Sequence, residues 1–238
     1  NELTKGFAHL GIVKRQFHRP ATEPDGPGRV IDAPERHAIQ RRRKTIIQIT
    51  NHLPGFNPQI LKDQLRFITA DMPEQLDNPL HMKAVGADGK VTEALAINEV
   101  SLLRAGPQAA RLQIWVDGRM RMGELVCDGA LVCTPAGSTA YNYSAHGPIL
   151  PIGSDVLALT AMAAFRPRRW RGALLPKNAV VRFDVLDHDK RPVMADADSR
   201  SVENVVSVEI RSDPEIGHRI LFDPGHGLEE RLIREQFA

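Results

Sequence analysis

Hydrophobic and polar positions alternate through short runs from about residue 80 to residue 211, and the breaks between the runs carry turn residues. That period of two predicts half-buried strands. His81 to Val85 and Lys90 to Leu95 flank Gly86-Ala87-Asp88-Gly89, which predicts a hairpin. Leu112 to Val116 alternates and then meets Asp117-Gly118, a pair that favours the positive-φ turn of a tight hairpin, with Met120 to Val126 returning. Ala130 to Thr134 reads as a strand stopped by Pro135, and Val180 to Leu186, Arg191 to Ala195 and Val205 to Arg211 as three more. The period then changes: Leu228, Leu232, Ile233 and Phe237 would share one face of a short amphipathic helix from Leu228 to Phe237.

The first third has no such rhythm. Pro20, Pro24, Pro27 and Pro34 interrupt any long helix or central strand. Thr45 to Thr50 suits one strand, and Gln59 to Ile68 one short helix with Ile60, Leu61, Leu65 and Ile68 on a face. No sustained strand–helix alternation develops over residues 1–75.

Composition narrows the class. The chain has 238 residues, room for one large domain or two modest ones. Its formal net charge of +2 is too near neutral to point to nucleic acid or an anionic membrane. No apolar run approaches the roughly 20 residues of a membrane span. Asn1 to Lys5 lacks a signal-peptide pattern. Cys127 and Cys133 have no second cysteine pair or nearby His to complete a zinc site, and read as buried thiols. A cytoplasmic location is the expectation.

The densest chemistry lies between Asp128 and Ile149. A strand feeds a turn rich in glycine and hydroxyls, Thr134-Pro135-Ala136-Gly137-Ser138-Thr139-Ala140-Tyr141-Asn142-Tyr143-Ser144. Gly137 would let a ligand approach the backbone. Ser138, Thr139 and Ser144 offer hydroxyls, Tyr141 an aromatic face, and Asp128 a carboxylate for a ribose or a carboxamide. Such a set suits a nucleotide better than a metal. Upstream, Asn98-Glu99 can hold hydroxyls, Glu99 as acceptor and Asn98 as donor or acceptor.

These stretches resemble the signature of the NAD kinase family. Asp128-Gly129, then Thr134-Pro135, Gly137-Ser138-Thr139-Ala140-Tyr141, Ser144-Ala145 and Gly147-Pro148-Ile149 follow its pattern, with Ala136 and His146 as departures. Asn98-Glu99 sits about thirty residues before Asp128-Gly129, as in the family. The resemblance runs over about residues 76 to 238, includes Phe165 to Gly172 and Leu221 to His226, and is strongest to alphaproteobacterial members.

The resemblance implies an α+β protein: a β-rich NAD-binding domain over 86–222, a divergent or incomplete N-terminal α/β lobe over 1–85, and a C-terminal helix over 223–238 returning toward the N-terminal region. It implies phosphoryl transfer from ATP, with a divalent metal such as magnesium, to the 2′-hydroxyl of the adenosine ribose of NAD. It also implies homo-oligomers whose subunits complete each other's nucleotide sites. Asn98, Glu99, Asp128, Ala136, Thr139, Ala140 (through its backbone), Tyr141, Asn142 and Ser144 are the expected NAD contacts; no protein metal ligand is expected.

One part is missing. The family carries its catalytic carboxylate in a Gly-Gly-Asp-Gly loop of the N-terminal lobe. The Asp-Gly pairs here are Asp25-Gly26, Asp88-Gly89, Asp117-Gly118 and Asp128-Gly129, and none follows Gly-Gly. The catalytic residue therefore stays unassigned, and a non-catalytic NAD(P)-binding or assembly module is the alternative. Asp184, Asp187 and Asp189 around His188 read as a strand end and turn. Asp196 and Asp198, with Ser199, stand where the family has a turn near the nucleotide. Arg166, Arg168, Arg169 and Arg171 around Trp170 read as a structural and interface loop.

Overall fold

The computed structural model describes residues 74–221 and, beyond them, Ile233 and Phe237. The strand expected over Thr45–Thr50, the helix over Gln59–Ile68 and the amphipathic segment from Leu228 lie outside that stretch or almost wholly so. Chain contacts divide the protein into one unit of residues 1–76 and 218–234 and another of residues 77–217 and 235–238.

The second unit is a stack of two antiparallel six-stranded sheets. The first sheet has the order β3 (Val91–Ala96), β2 (Leu80–Gly86), β13 (Val205–Ser212), β10 (Val181–Val185), β5 (Ala110–Val116) and β6 (Arg119–Cys127). The second has the order β12 (Arg200–Val202), β11 (Val193–Ala197), β4 (Glu99–Arg104), β7 (Gly129–Cys133), β8 (Val156–Met162) and β9 (Gly172–Pro176). Separately, β1 (Glu74–Asp77) pairs with β14 (His218–Leu221).

Both expected hairpins form. Leu80 pairs with Ala96 and Val85 with Val91, and the turn closes through Gly86 N donating to Lys90 O at 2.9 Å. The β5–β6 turn places Asp117 and Gly118 at φ of 51° and 72°, the left-handed region that Asp-Gly tolerates. The strand expected from Arg191 begins at Val193 instead. Pro192 has no N–H for the ladder, so pairing starts after it. β4, β8, β9 and β12 were not foreseen.

Between the sheets lies one apolar core. Ala110, Leu112, Ile114 and Val116 of β5 and Val181, Phe183 and Val185 of β10 face Val100 and Leu102 of β4, Ala130 and Val132 of β7 and Leu157 and Leu159 of β8. The second sheet is buried on its other face as well. There Leu131, Cys133, Ala158 and Met162 pack with Leu150 in a smaller cluster. A strand covered on both faces reads as a continuous apolar run, which is why β7 is buried at all five positions. The cover over this outer face is the segment that follows β7: a 3-10 turn at Ala136–Thr139 and a one-turn helix α1 at Tyr141–Ser144.

Candidate nucleotide site

Two segments remote in sequence are stitched together where the chain passes from one sheet to the other. Ile97 and Asn98 link β3 to β4, and Thr134 leaves β7 beside them. Thr134 N donates to Asn98 O at 2.9 Å, and Thr134 Oγ1 donates to Ile97 O at 2.7 Å. Thr134 Oγ1 also accepts from Gly137 N at 3.0 Å, which starts the 3-10 turn. Gly137 was expected to admit a ligand to the backbone; what it admits is the backbone of Asn98. A Cβ there would stand 2.2 Å from Asn98 O. The Asn98-Glu99 pair and the Ala136–Ser144 segment are therefore one structural unit.

Three polar side chains hold that unit from beneath. Asp198, at the β11–β12 turn with φ of 49°, accepts from the backbone N–H of Ile97 (2.6 Å), Asn98 (3.1 Å) and Glu99 (3.2 Å). Sequence alone left Asp198 open between turn and ligand contact; these bonds make it the clamp of the Asn98-Glu99 corner. Asp77, only 2% exposed, accepts from Ala136 N at 3.0 Å and lies 3.7 Å from Lys177 Nζ. Burial raises its carboxyl above the usual range, while the N–H groups of Ala136 and Asn78 and the ammonium of Lys177 pull it back. Sequence reasoning missed Asp77, since nothing local marks a contact across 59 residues. Asn142, fully buried, donates through Nδ2 to Ser138 O (3.1 Å) and Pro148 O (2.8 Å), and its Oδ1 accepts from Thr160 Oγ1 (2.6 Å). Its side chain is committed within the fold. Ser138 is committed as well: its hydroxyl donates to Pro135 O at 2.7 Å and accepts from Leu150 N at 2.9 Å.

What the unit leaves accessible is narrower. Tyr141 is 37% exposed, Ser144 is exposed, and Thr139 and Ala140 are half-buried. Glu99 is half-buried at the start of β4, with Asp196 and Asp198 on the adjoining β11–β12 hairpin. The Glu99 carboxyl is raised from 4.5 to about 7, first by burial and then by the charge of Asp198, against the Tyr141 backbone N–H, which lowers it. The Tyr141 phenol is raised by burial and by Glu99 and Asp196. Burial, and then Glu99, push the Cys133 thiol far up, and burial pushes Cys127 up to about 12, so both thiols are inert. An acceptor-rich floor beneath an exposed aromatic ring and hydroxyls is matched to hydroxyl donors and a flat base, the two faces of a nucleoside.

Asp128 does not join this group within one chain. It precedes Gly129 at the opposite end of β7, six residues or about 20 Å from Thr134. There it is half-exposed and paired with Arg104 Nε at 2.6 Å. Gly129 beside it pairs with Met162 of β8. Next to Met162, a surface cleft of about 400 Å³ is lined by Ala145, His146, Ala163, Arg169 and Trp170, among others. Among the described residues no group of three His, Cys, Asp or Glu side chains is arranged to hold a metal ion, and no helix is long and apolar enough to cross a membrane.

The comparisons agree with this architecture. A family model for the ATP-NAD kinase C-terminal domain matches residues 97–211. The NAD kinase of Cereibacter sphaeroides is 75% identical over 177 residues, covering 74% of this chain and 70% of that protein. The NAD kinase of Brucella suis is 52% identical over 238 residues, covering 97% of this chain and 91% of that one. Both are alphaproteobacterial. Among solved structures, yeast NADH kinase complexed with NADH superposes with a TM-score of 0.61 at 20% identity, over 77% of this chain and 53% of that one. An NAD kinase from Archaeoglobus fulgidus in complex with ATP gives 0.54 at 22%, over 69% and 61%. At such identities these two likenesses speak to the fold alone.

Proposed function

The chain belongs to the NAD kinase family, and from that premise we propose that it transfers the γ-phosphoryl group of ATP to the 2′-hydroxyl of the adenosine ribose of NAD, giving NADP and ADP. The observation that carries the reading is the stitching of Asn98-Glu99 to the Ala136–Ser144 segment through Thr134 and Gly137. It sets ribose acceptors and an aromatic platform side by side.

In this reading Glu99 and Asn98 take the ribose hydroxyls. Thr139 and Ser144 bond through their hydroxyls, Ala140 through its backbone, and Tyr141 stacks on a base. Ala136 and Asn142 act by shaping the turn, because Ala136 N is held by Asp77 and the Asn142 amide is used inside the fold. Asp128 lies too far along β7 to reach the same nucleotide, so it serves the site of a second copy of the chain. The assembly is then a homo-oligomer with sites shared between subunits. The divalent metal enters on the phosphates of ATP, where it neutralises charge as the phosphoryl group moves. The enzyme works in the cytoplasm.

The test is NADP formation by the purified full chain from NAD and MgATP, read through an NADP-specific dehydrogenase. A steady rate is expected. Its subunit arrangement is tested by co-expressing Asp128→Ala and Tyr141→Ala chains. Each alone should bind NAD weakly, while random mixing should restore about one quarter of the sites. No recovery from mixed oligomers would place Asp128 and Tyr141 in one subunit's site or in none.

A second reading is favoured by one observation: no Asp-Gly pair of the chain follows Gly-Gly. A protein that binds NAD tightly in calorimetry and forms no NADP would be a binding module rather than a kinase.

A further inference from the structure

We propose that Asp77 is a positioning residue for NAD: its carboxylate, held between Lys177 and the backbone of Ala136, fixes the direction in which Thr139, Ala140 and Tyr141 are presented to the nucleotide. The inference rests on the NAD-site reading above and adds to it a side chain that touches no substrate.

The turn that carries those residues has no cap of its own. It is entered through Pro135, whose side chain makes no capping bond. Two acceptors outside the turn take its first N–H groups instead. Thr134 Oγ1 receives Gly137 N at 3.0 Å, and Asp77 Oδ2 receives Ala136 N at 3.0 Å. Further along, Ala140 N donates to Gly137 O at 2.8 Å, and the Tyr141 N–H donates to Glu99. Thr139, Ala140 and Tyr141 therefore follow the direction that Ala136 and Gly137 set. Thr134 alone would be a single pivot, placed where Gly137 meets the backbone of Asn98. Asp77 is the second fixed point, and two points define a direction. Ser138 and Asn142 tie the segment to Leu150, Pro148 and Thr160 and leave its entry to these two acceptors.

Only a carboxylate fits the place of Asp77. The residue is 2% exposed, at the end of β1. While Oδ2 accepts from Ala136 N, Oδ1 accepts from Asn78 N at 2.9 Å and faces Lys177 Nζ at 3.7 Å. Both oxygens thus meet donors. An amide of the same shape would turn its NH2 against a backbone N–H or against the ammonium. Lys177 is held in turn, for it follows β9 directly and its own N–H donates to Asp155 O at 2.9 Å. Its side chain is only 21% exposed, so the pair is largely withdrawn from water. Desolvating two such charges costs free energy that their attraction can fail to return, and a neutral acceptor would satisfy one backbone N–H at a smaller cost. What the pair adds is a fixed geometry at the entry of the turn.

The experiment uses the full chain. Asp77→Asn should weaken NAD binding in calorimetry by about tenfold or more. KM for NAD should rise in parallel, while KM for ATP stays within about twofold. Lys177→Met should weaken NAD binding by about threefold or more, and the double variant should bind no more weakly than Asp77→Asn alone, because both changes act through one contact. A merely structural residue gives the opposite split: a lower thermal midpoint, with the affinity of the folded protein for NAD unchanged. A folded Asp77→Asn protein that binds NAD within about threefold of wild type overturns the proposal. Should that variant not fold, Lys177→Met decides, and an NAD affinity within about 1.5-fold of wild type overturns it equally. A wild type that binds NAD and forms no NADP sinks the kinase reading alone, since the affinities still decide the role of Asp77. A folded wild type that binds no NAD overturns both.

Discussion

The two sheets of the β domain have six strands each, yet they do different work. In the first sheet, strands such as β2 and β5 alternate buried and half-exposed positions, and the outer face meets solvent. Its side chains there form contacts such as Arg182 over the Trp115 ring at 4.7 Å. In the second sheet, β7 and β8 are buried on both faces, and the outer face lies under the Ala136–Ser144 segment. The polar groups there bond across long stretches of chain: Asp77 to Ala136, Asp198 to Asn98, Thr160 to Asn142. The first sheet is a scaffold that tolerates change at its surface. The second presents the site, and its rigidity comes from buried polar bonds that have no slack.

Glycine substitutions draw the contrast most sharply. Gly137→Ala would set a Cβ 2.2 Å from Asn98 O, backbone against backbone, so neither a rotamer change nor a side-chain shift relieves it. A loss of about 3 kcal/mol or more is expected, together with loss of NAD binding, because the turn and the Asn98-Glu99 corner must separate. Gly123→Ala in β6 meets nothing within 4 Å and should change stability by less than about 0.5 kcal/mol. Denaturant unfolding and NAD calorimetry on both variants measure the pair. Equal effects would mean that the two sheets do not differ in this way.

The same contrast decides what could be read from the sequence. The hairpins β2–β3 and β5–β6 were legible because alternation and Asp-Gly are local signals. β4 and β8 were not. Val156 to Met162 is apolar almost throughout, since both faces are covered, and without alternation it carries no period to detect. At the site, the Asp128–Ile149 motif was visible as a chain of residue types. That Ser138 and Asn142 spend their polar atoms inward follows from bonds to residues no more than 18 positions away, which no periodicity marks; that Asp77 and Asp198 support the turn from remote strands depends on tertiary contacts of 59 to 101 residues' separation. No window of sequence holds both partners. Gly137 shows the limit well: the need for a glycine was legible, but the group that approaches it was not.

A smaller effect separates stability from function within the second sheet. The Glu99 carboxyl is raised from 4.5 to about 7 in the folded state. A group raised on folding contributes stability that is fully present below its unfolded value and is lost as pH rises through its folded one. Wild type should therefore lose stability between about pH 4.5 and about pH 7 through this residue, and Glu99→Gln should not. At about pH 8 the variant should be the more stable by about 1–2 kcal/mol, with the gap closing below about pH 4.5. Thermal unfolding across that range measures it. A variant less stable than wild type at pH 8 would mean that a neutral side chain is not what this corner prefers. A variant that is more stable but binds NAD more weakly would identify Glu99 as a residue kept for function at the expense of stability.

The smallest effect belongs to the first sheet and is the control for all the others. Arg182 and Trp115 are cross-strand neighbours on β10 and β5, and the guanidinium lies 4.7 Å from the ring centroid. The stacked pair is partly solvated, and Arg182 also bonds Asp184 at 3.1 Å in an exposed contact. An exposed cation–π pair contributes about 0.5–1 kcal/mol, and an exposed ion pair at most about as much again. Arg182→Ala should therefore cost about 1 kcal/mol in urea unfolding. NAD affinity should not change, because the residue lies on the outer face of the sheet that does not carry the turn. A loss of NAD affinity from so mild a change would show that the first sheet transmits strain to the Asn98-Glu99 corner through β3, and the division between scaffold and site would have to be redrawn along that strand.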